Sequence, residues 1–462
     1  MVEFTKDSIE QCLDINSRTC DVLGVNHMDL AEFVLRTVPM ATVVETGEIL
    51  ICHNGLYVRG GNEYIRSLLV KCLKGYRYKN GRDVYTTYLL NQVTDIIKGL
   101  TYVESSKFDN DLHIINMDNG LYNWYNGEFT PHDPLEYQLS GRRPYFSRIQ
   151  IPLVYNPHAT CPHIERMLRN VLHDEDRTKV MELLAYLMYR EYTLQKAFIL
   201  LGPGGTGKTI FLDLLRNFTG ARNCSSVSMH DLEKDRFATA DLHLKLVNLF
   251  GDMEQTELPN INIMKMLTSN KDVIRAQRKG EHAFDFVNYA KLVFATNQLP
   301  MVRDDTTGFY RRVEILPFEH VFTKAEYDAD LLKAITDPVE LSGLFNLVMP
   351  YLKELIERNE FTNASSILDM TIKYKSQSDP VGAFVERHVE EDADAFPPTK
   401  QEMYDAYCLF CKKHNVTPLH KNWFGKAYVK RVEWHKTTIK NVNGRQTACW
   451  ANTGLIRLNE LT

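Results

Sequence analysis

"AFILLGPGGTGKTIFLDLLRNF" sets three things in succession: an apolar run, the eight residues Gly202-Pro203-Gly204-Gly205-Thr206-Gly207-Lys208-Thr209, and an amphipathic stretch. The eight fit G-x-x-x-x-G-K-[ST], with strand character before and helix character after. Glycines let backbone N–H groups curl around an anion. Lys208 offers a point charge to β- and γ-phosphates, and the Thr209 hydroxyl suits Mg²⁺. A helix that starts here turns its positive end toward the same anion. The chemistry is the binding of a nucleoside triphosphate, ATP with Mg²⁺. The alternative is a glycine-rich turn that binds nothing, and it leaves the Lys-Thr pair and its context without a purpose.

A phosphate loop does not say what the nucleotide is for, so the next polar residues matter. "HLKLVNLFGDMEQTEL" reads as a strand, Leu246 to Phe250, ending in Gly251-Asp252-Met253-Glu254. An acid at the end of a strand beside a phosphate loop anchors the metal and polarises water. Asp252 is the metal candidate and Glu254 the candidate to orient an attacking water; Glu254 as a simple cap of the next turn is the alternative. "KLVFATNQLP" is an apolar strand that stops at Thr296-Asn297. An amide there, at the C-terminal edge of the sheet, suits an uncharged sensor of the γ-phosphate and the lytic water. Arg311 and Arg312 follow too late to reach the same nucleotide easily. They suit a role in trans, on the nucleotide of a neighbouring subunit, with Arg312 the first choice and Arg311 the second. Surface pairing with Asp304 and Asp305 is the competing explanation.

Several elements must position these groups. Residues 1–110 read as mixed and mostly helical, with "IEQCLDI", "LAEFVLRTV" and "EYIRSLLVKCLKGY" at helical spacing and a strand pair around His53-Asn54-Gly55. Residues 111–190 read as a β-meander turning at Asn119-Gly120 and Asn126-Gly127, one more strand in "IQIPLVYNPHATCP", and two amphipathic helices. Residues 191–358 form the nucleotide core. Within it "VIRAQRKGEHAFDFV" alternates around Lys279-Gly280-Glu281, which predicts a hairpin with Arg278, Lys279 and His282 at its tip. Those three are DNA-contact candidates, against the alternative of a solvated basic turn. Residues 359–378 are polar and Ser-rich and read as a linker. Residues 379–462 read as two helices and a hairpin around Asn443-Gly444, a winged-helix-like arrangement. From residue 400 onward there are eleven Lys and Arg against four Asp and Glu. That local surplus suits nucleic acid, with Lys421, Lys426, Lys430 and Arg431 on the second helix as contacts to duplex DNA; a basic docking face for a protein is the alternative. Cys408 and Cys411 lie one turn apart on a helix, an arrangement that suits core cysteines better than a zinc knuckle.

The order of phosphate loop, short acid strand, "KMLTSNKDVIRAQRKGEHAFDF", "YAKLVFATNQLP" and "GFYRRVEILPF" resembles the superfamily 3 helicases. Within these it is similar to the primase–helicase family of phages, plasmids, mobile islands and poxviruses. "IINMDNGLYNWYNGEFTPHDP" and the stretch after it resemble that family's helicase-associated N-terminal domain. The likeness covers roughly residues 110–460 and is densest over 196–320. It implies an α/β AAA+-like P-loop ATPase core, a hexameric ring, translocation on single-stranded DNA in the 3′→5′ sense, and replication of a mobile element, phage or virus. It also implies Lys279 and His282 as DNA contacts. The chain departs from many relatives in having Gly251-Asp252 where they carry two adjacent acids, so Glu254 stands as a substitute. Asp109, Asp111 and His113 resemble a two-metal primase site only loosely and read as a turn before a strand. The role of residues 1–100 is not given by the sequence; they could recruit a separate primase or polymerase as partner.

The totals narrow the classes. The 462 residues, 44% hydrophobic with a net charge of -5, are ordinary globular material. No apolar stretch is long enough to span a membrane, and "MVEFTKDSIEQCLD" has no leader character. Nine scattered cysteines favour free thiols in a reducing, cytoplasmic setting, in a bacterial or virus-infected cell. Two rivals to a helicase remain: an AAA+ remodeller of proteins, and an origin-binding protein that uses ATP as an assembly switch. Neither needs Lys279.

Overall fold

A computed structural model describes residues 9–132, 145–251, 262–299, 307–326, 328–392, 394, 396–414, 416–432, 434, 436–442 and 445–456. The chain divides into two compact units: residues 1–161 with 217–223 and 336–353, and residues 162–216 with 224–335 and 354–462.

In the first unit β1 (Leu13–Ile15) and β2 (Val22–Val25) pair antiparallel. The helical spacing of "IEQCLDI" misleads there, because its last residues are extended against β2. Strands β3 (Met40–Val43), β4 (Ile49–His53), β5 (Leu56–Arg59) and β6 (Tyr102–Val103) make one sheet in the order β5-β4-β3-β6. Helices His27–Thr37, Gly61–Leu73 and Thr87–Thr101 bury Leu30, Val34, Leu69, Val93 and Ile97 in a shared core. Asn26 caps the first of them through the Met28 and Asp29 amides. The predicted meander is β7 (Ile114–Met117), β8 (Gly120–Asn123) and β9 (Phe129–Pro131). The strand expected in "IQIPLVYNPHATCP" is only a single bridge, Met117 to Ile151. Two prolines, Pro152 and Pro157, remove ladder donors there.

The second unit is built on a parallel sheet. Its strands are β10 (Ala197–Leu201), β11 (Cys224–Ser225), β12 (Val247–Phe250), then, after the hairpin β13 (Val273–Ala276) and β14 (Phe284–Val287), β15 (Lys291–Thr296) and β16 (Val313–Pro317). The order is β11-β12-β15-β10-β16 and every pairing is parallel. A parallel sheet is covered on both faces, so its strands read as unbroken apolar runs. Phe198, Ile199, Leu200, Val293, Phe294 and Ile315 are all buried, each contributing about 1.5–3 kcal/mol by burial.

The helix Arg177–Tyr186, expected to be amphipathic, is instead buried on almost all sides. Its charges have internal partners: Glu182 accepts from Arg358 and from the Thr362 amide at 2.8 Å, and Asp176 accepts from the Ser366 hydroxyl. Residues 359–378 are not an extended linker. Ser365–Ser378 is a helix with Ile367 and Tyr374 buried. Its Ser- and Thr-rich composition gives weak intrinsic propensity, and packing supplies the rest. Tyr374 sits edge-on to Tyr310 at 5.8 Å and to Phe309 at 6.3 Å.

Helices Pro380–His388, Lys400–Lys413 and Lys421–Arg431 enclose Phe384, Met403, Tyr407, Phe410, Cys411, Phe424 and Tyr428. Thr399 and Glu402 form a capping box on the second. Strands β17 (Val389–Glu391), β18 (Lys436–Val442), β19 (Arg445–Ala451) and β20 (Thr453–Leu455) complete this part, with β18 and β19 as the predicted hairpin. Asn443-Gly444, its expected turn, lies outside the described residues. The architecture is an α/β AAA+-like P-loop core with a mixed α+β N-terminal region and a small winged-helix-like C-terminal part.

Candidate nucleotide site and its distant arginines

The loop Gly202–Gly207 leaves the C-terminal end of β10 and enters the helix Lys208–Thr219. Two glycines are demanded by geometry. A Cβ on Gly202 would lie 2.0 Å from the Phe318 carbonyl oxygen. Gly207 has φ +87°, and a Cβ there would press on Val171 at 3.1 Å. Thr206 closes the turn by donating to the Pro203 carbonyl at 3.0 Å.

Lys208 donates to the carbonyls of Gly202 at 2.5 Å and Pro203 at 2.8 Å, and to Asn297 Oδ1 at 3.0 Å. The sheet order explains the last contact. β15 lies next to β10, with Thr296 opposite Leu201, so Asn297 emerges beside the loop. Partial burial pulls the Lys208 ammonium below the usual lysine range. Thr209 is exposed at the first turn of the helix.

These residues line a cavity of about 680 Å³. Gly204 to Ile210, Gly251, Thr296 and Asn297 form one side, and Gly251 puts the chain that continues to Asp252 at the wall. Asp252 and Glu254 themselves lie outside the described residues. Sequence reading missed the other side: Arg166, Asn170 and Val171 from the helix Pro162–Val171, with Phe322, Asp328 and Leu331. Arg166 and Asp328 approach to 3.9 Å. The sequence marks the helix Pro162–Val171 as amphipathic, but no local pattern ties it or residues 322–331 to the phosphate loop.

A loop in which Gly202 and Gly207 leave little room for a Cβ, a lysine beside an amide and a helix N-terminus suit a polyphosphate. The cavity volume suits a nucleotide. The exposed Thr209 hydroxyl is of a type that suits Mg²⁺.

Arg311 and Arg312 immediately precede β16, which runs parallel to β10 with Val313 opposite Ala197. They therefore sit at the N-terminal end of the sheet, five residues or about 17 Å of strand from the phosphate-loop end. The two arginines, Arg312 the first choice and Arg311 the second, differ in exposure. Arg312 is buried, and burial, followed by repulsion from Arg311, lowers its pKa. Arg311 is exposed and reaches Gln195 Oε1 at 3.5 Å. The outward-facing group is Arg311.

The hairpin of β13 and β14 turns Ile274, Ala276, Phe284 and Phe286 inward and Val273, Arg275, Asp285 and Val287 outward. Lys279 and His282 are exposed at its tip. Arg278 is not: its guanidinium lies over Phe284 at 4.8 Å and near His243 Nδ1 at 3.4 Å. On Lys421–Arg431, Lys426 is exposed over the Trp423 ring at 4.9 Å, Lys430 is exposed, and Lys421 donates to Gln401. Arg431 pairs with Asp379 at 2.8 Å and 3.2 Å and holds the start of the helix Pro380–His388.

Three segments match known families. Residues 63–173 match "D5 N terminal like", residues 376–459 match "Poxvirus D5 protein-like", and residues 200–312 match DUF5906, a family of unknown function. The chain is related to D5-like viral helicase–primase proteins. A protein of Acanthamoeba polyphaga mimivirus described as "Putative helicase L207/L206" is 21% identical over 55% of the chain, and one of Invertebrate iridescent virus 6 described as "Putative helicase 184R" is 28% identical over 22%. The matched segments span 26% and 11% of the lengths of those two relatives. The apo structure of the NrS-1 C-terminal region shares the fold, with a TM-score of 0.51 at 14% identity over 92% of this chain and 98% of that one. A second structure of that region, residues 305–718, gives 0.50 at 13% identity.

Proposed function

We propose that the D5-like chain is an ATP-dependent DNA helicase that works as a ring, a hexamer, in the replication of a virus, phage or other mobile element. One observation carries the reading: Lys208 lies 3.0 Å from Asn297 across two neighbouring parallel strands, at the lip of a cavity lined by a phosphate loop. Bound phosphates would replace the acceptors that Lys208 now uses. Asn297 would then be released to hold the γ-phosphate or the attacking water. Bound Mg²⁺ neutralises charge developing on the β- and γ-oxygens, and Thr209 and Asp252 are the residues that would hold it. Glu254 orients the water. Arg311 lies too far from its own loop to assist it and serves the nucleotide of the next subunit.

The translocation role is assigned to the hairpin tip. Lys279 and His282 present a cation and an imidazole on an exposed turn whose root precedes β15, the strand that ends in Asn297. A change at the γ-phosphate therefore has a short path to the tip, where a DNA phosphate is gripped. Duplex DNA is assigned to Lys426 and Lys430. Lys279→Ala tests the reading. Unwinding of a forked substrate is expected to vanish while ATP hydrolysis persists. A protein remodeller, or an origin binder that uses ATP as a switch, would not respond in this way.

A further inference from the structure

A buried charge cluster adjoins the arginine turn. Glu314, the second residue of β16, accepts from Lys179 at 2.8 Å and from Lys196 at 2.5 Å. The Lys179 and Glu314 side chains are 6% and 9% exposed, so this is an interior cluster and not a surface pair. Burial alone would raise the Glu314 carboxyl, but the two ammonium groups outweigh it and hold it below the usual range. Lys196 also donates to the Arg311 carbonyl at 2.8 Å. The Ala197 amide donates to the Arg312 carbonyl at 2.7 Å. Gln195, whose side chain faces the Arg311 guanidinium, has φ +54°, a left-handed conformation that few side-chain-bearing residues adopt. Three consecutive residues, 195–197, thus hold the arginine turn by side chain and backbone, and they lead into the strand whose other end is the phosphate loop.

We propose that Lys196 and Glu314 are positioning residues for Arg311, forming with Lys179 a clamp that aims the arginine outward and ties it rigidly to β10. The inference rests on the reading that Arg311 acts across a subunit boundary. A buried ion cluster stabilises little compared with apolar residues of the same volume, and its best-supported use is to fix one arrangement. Here it fixes the arginine turn against the strand that ends in the subunit's own phosphate loop. A shift of that loop on nucleotide binding is transmitted along five rigid residues to the arginine presented to the neighbour.

Glu314→Gln keeps the shape and removes the charge. In the full chain it is expected to slow ATP turnover about tenfold or more at unchanged affinity for a fluorescent ATP analogue. Mixed with Lys208→Ala subunits, which lack a working cradle but carry an intact arginine, it should regain activity. Mixed with Arg311→Ala subunits it should not. A merely structural defect would impair the Glu314→Gln cradle too, so no mixture would recover. Turnover within twofold of the parent, loss of nucleotide affinity, or failure of the Lys208→Ala mixture to recover would each overturn the inference. Lys196→Met, at the more accessible end of the cluster, is expected to give the same pattern and serves if the glutamine variant does not fold. If Arg311→Ala alone keeps full turnover, the underlying reading fails instead.

Discussion

At the C-terminal end of the parallel sheet, Lys208 leans on two carbonyl oxygens and the Asn297 amide, beside the exposed Thr209. At the N-terminal end, Lys179 and Lys196 share Glu314. Lys291, fully enclosed, donates to the carbonyls of Tyr189, Glu191 and Tyr289 and lies over the Tyr186 ring at 4.3 Å. Both ends gather cations, but their acceptors differ in kind. Lys208 and its acceptor Asn297 line a cavity, where on the proposed reading phosphate oxygens take over from the present acceptors. Those of Lys179 and Lys291 are walled in, and removing Glu314 would leave the Lys179 ammonium buried without its ion partner, at a cost of about 3–5 kcal/mol. One end of the sheet is therefore built to exchange partners and the other to keep them. The proposed ring motor needs both: a receptive cradle, and a stiff mount for the group offered next door.

Substitutions at the two ends should behave differently. Arg311→Ala is expected to have the largest effect, a loss of about 10³-fold or more in DNA-stimulated ATP turnover with nucleotide affinity unchanged. Equilibrium binding beside steady-state kinetics checks the split. Arg312→Ala should instead lower the unfolding temperature, which would sharpen the contrast between an outward and an inward arginine. Lys208→Ala should cost about 10²–10³-fold in turnover and weaken nucleotide binding as well, while leaving the unfolding temperature without nucleotide nearly unchanged. Asn297→Ala should slow turnover by about 10²-fold with affinity nearly intact, since the amide acts on the γ-phosphate and water. If it instead weakened binding as much as Lys208→Ala does, the sensor assignment would be wrong.

The smallest effect concerns pH. The folded pKa of Glu314 lies below its ordinary value, so its contribution to stability is fully present above that value and is lost as pH falls through the folded pKa. Thermal unfolding of the parent and of Glu314→Gln should differ at neutral pH and converge in acid. Equal spacing at every pH would remove the charge from the account of the clamp.

The receptive end was largely legible in the sequence and the stiff end was not. The phosphate loop is a contiguous pattern whose glycines answer to local backbone geometry. The apolar run ending in Asn297 follows from a strand buried on both faces. Arg311 and Arg312 are neighbours with identical chemistry, and which of them faces out is set by tertiary contacts, among them those of residues 195–197 and of Tyr374, that no local pattern marks. The partners Lys179, Lys196 and Glu314 are up to 135 residues apart, and no local period marks them. The helix Ser365–Ser378 was hidden for a related reason, because its composition resembles a linker while Tyr374 and Ile367 give it a place against the core. Arg166 and Asn170 reach the cavity from another element altogether.

The central claim is that a cradle in one subunit is completed by an arginine from the next. Its most direct test mixes Arg311→Ala and Lys208→Ala proteins, each inactive by itself, and measures ATP hydrolysis of the mixture on single-stranded DNA. Hydrolysis restored above the level of either component is the expected result. A mixture as inactive as its components, or an Arg311→Ala protein that hydrolyses ATP at the parental rate, would contradict it.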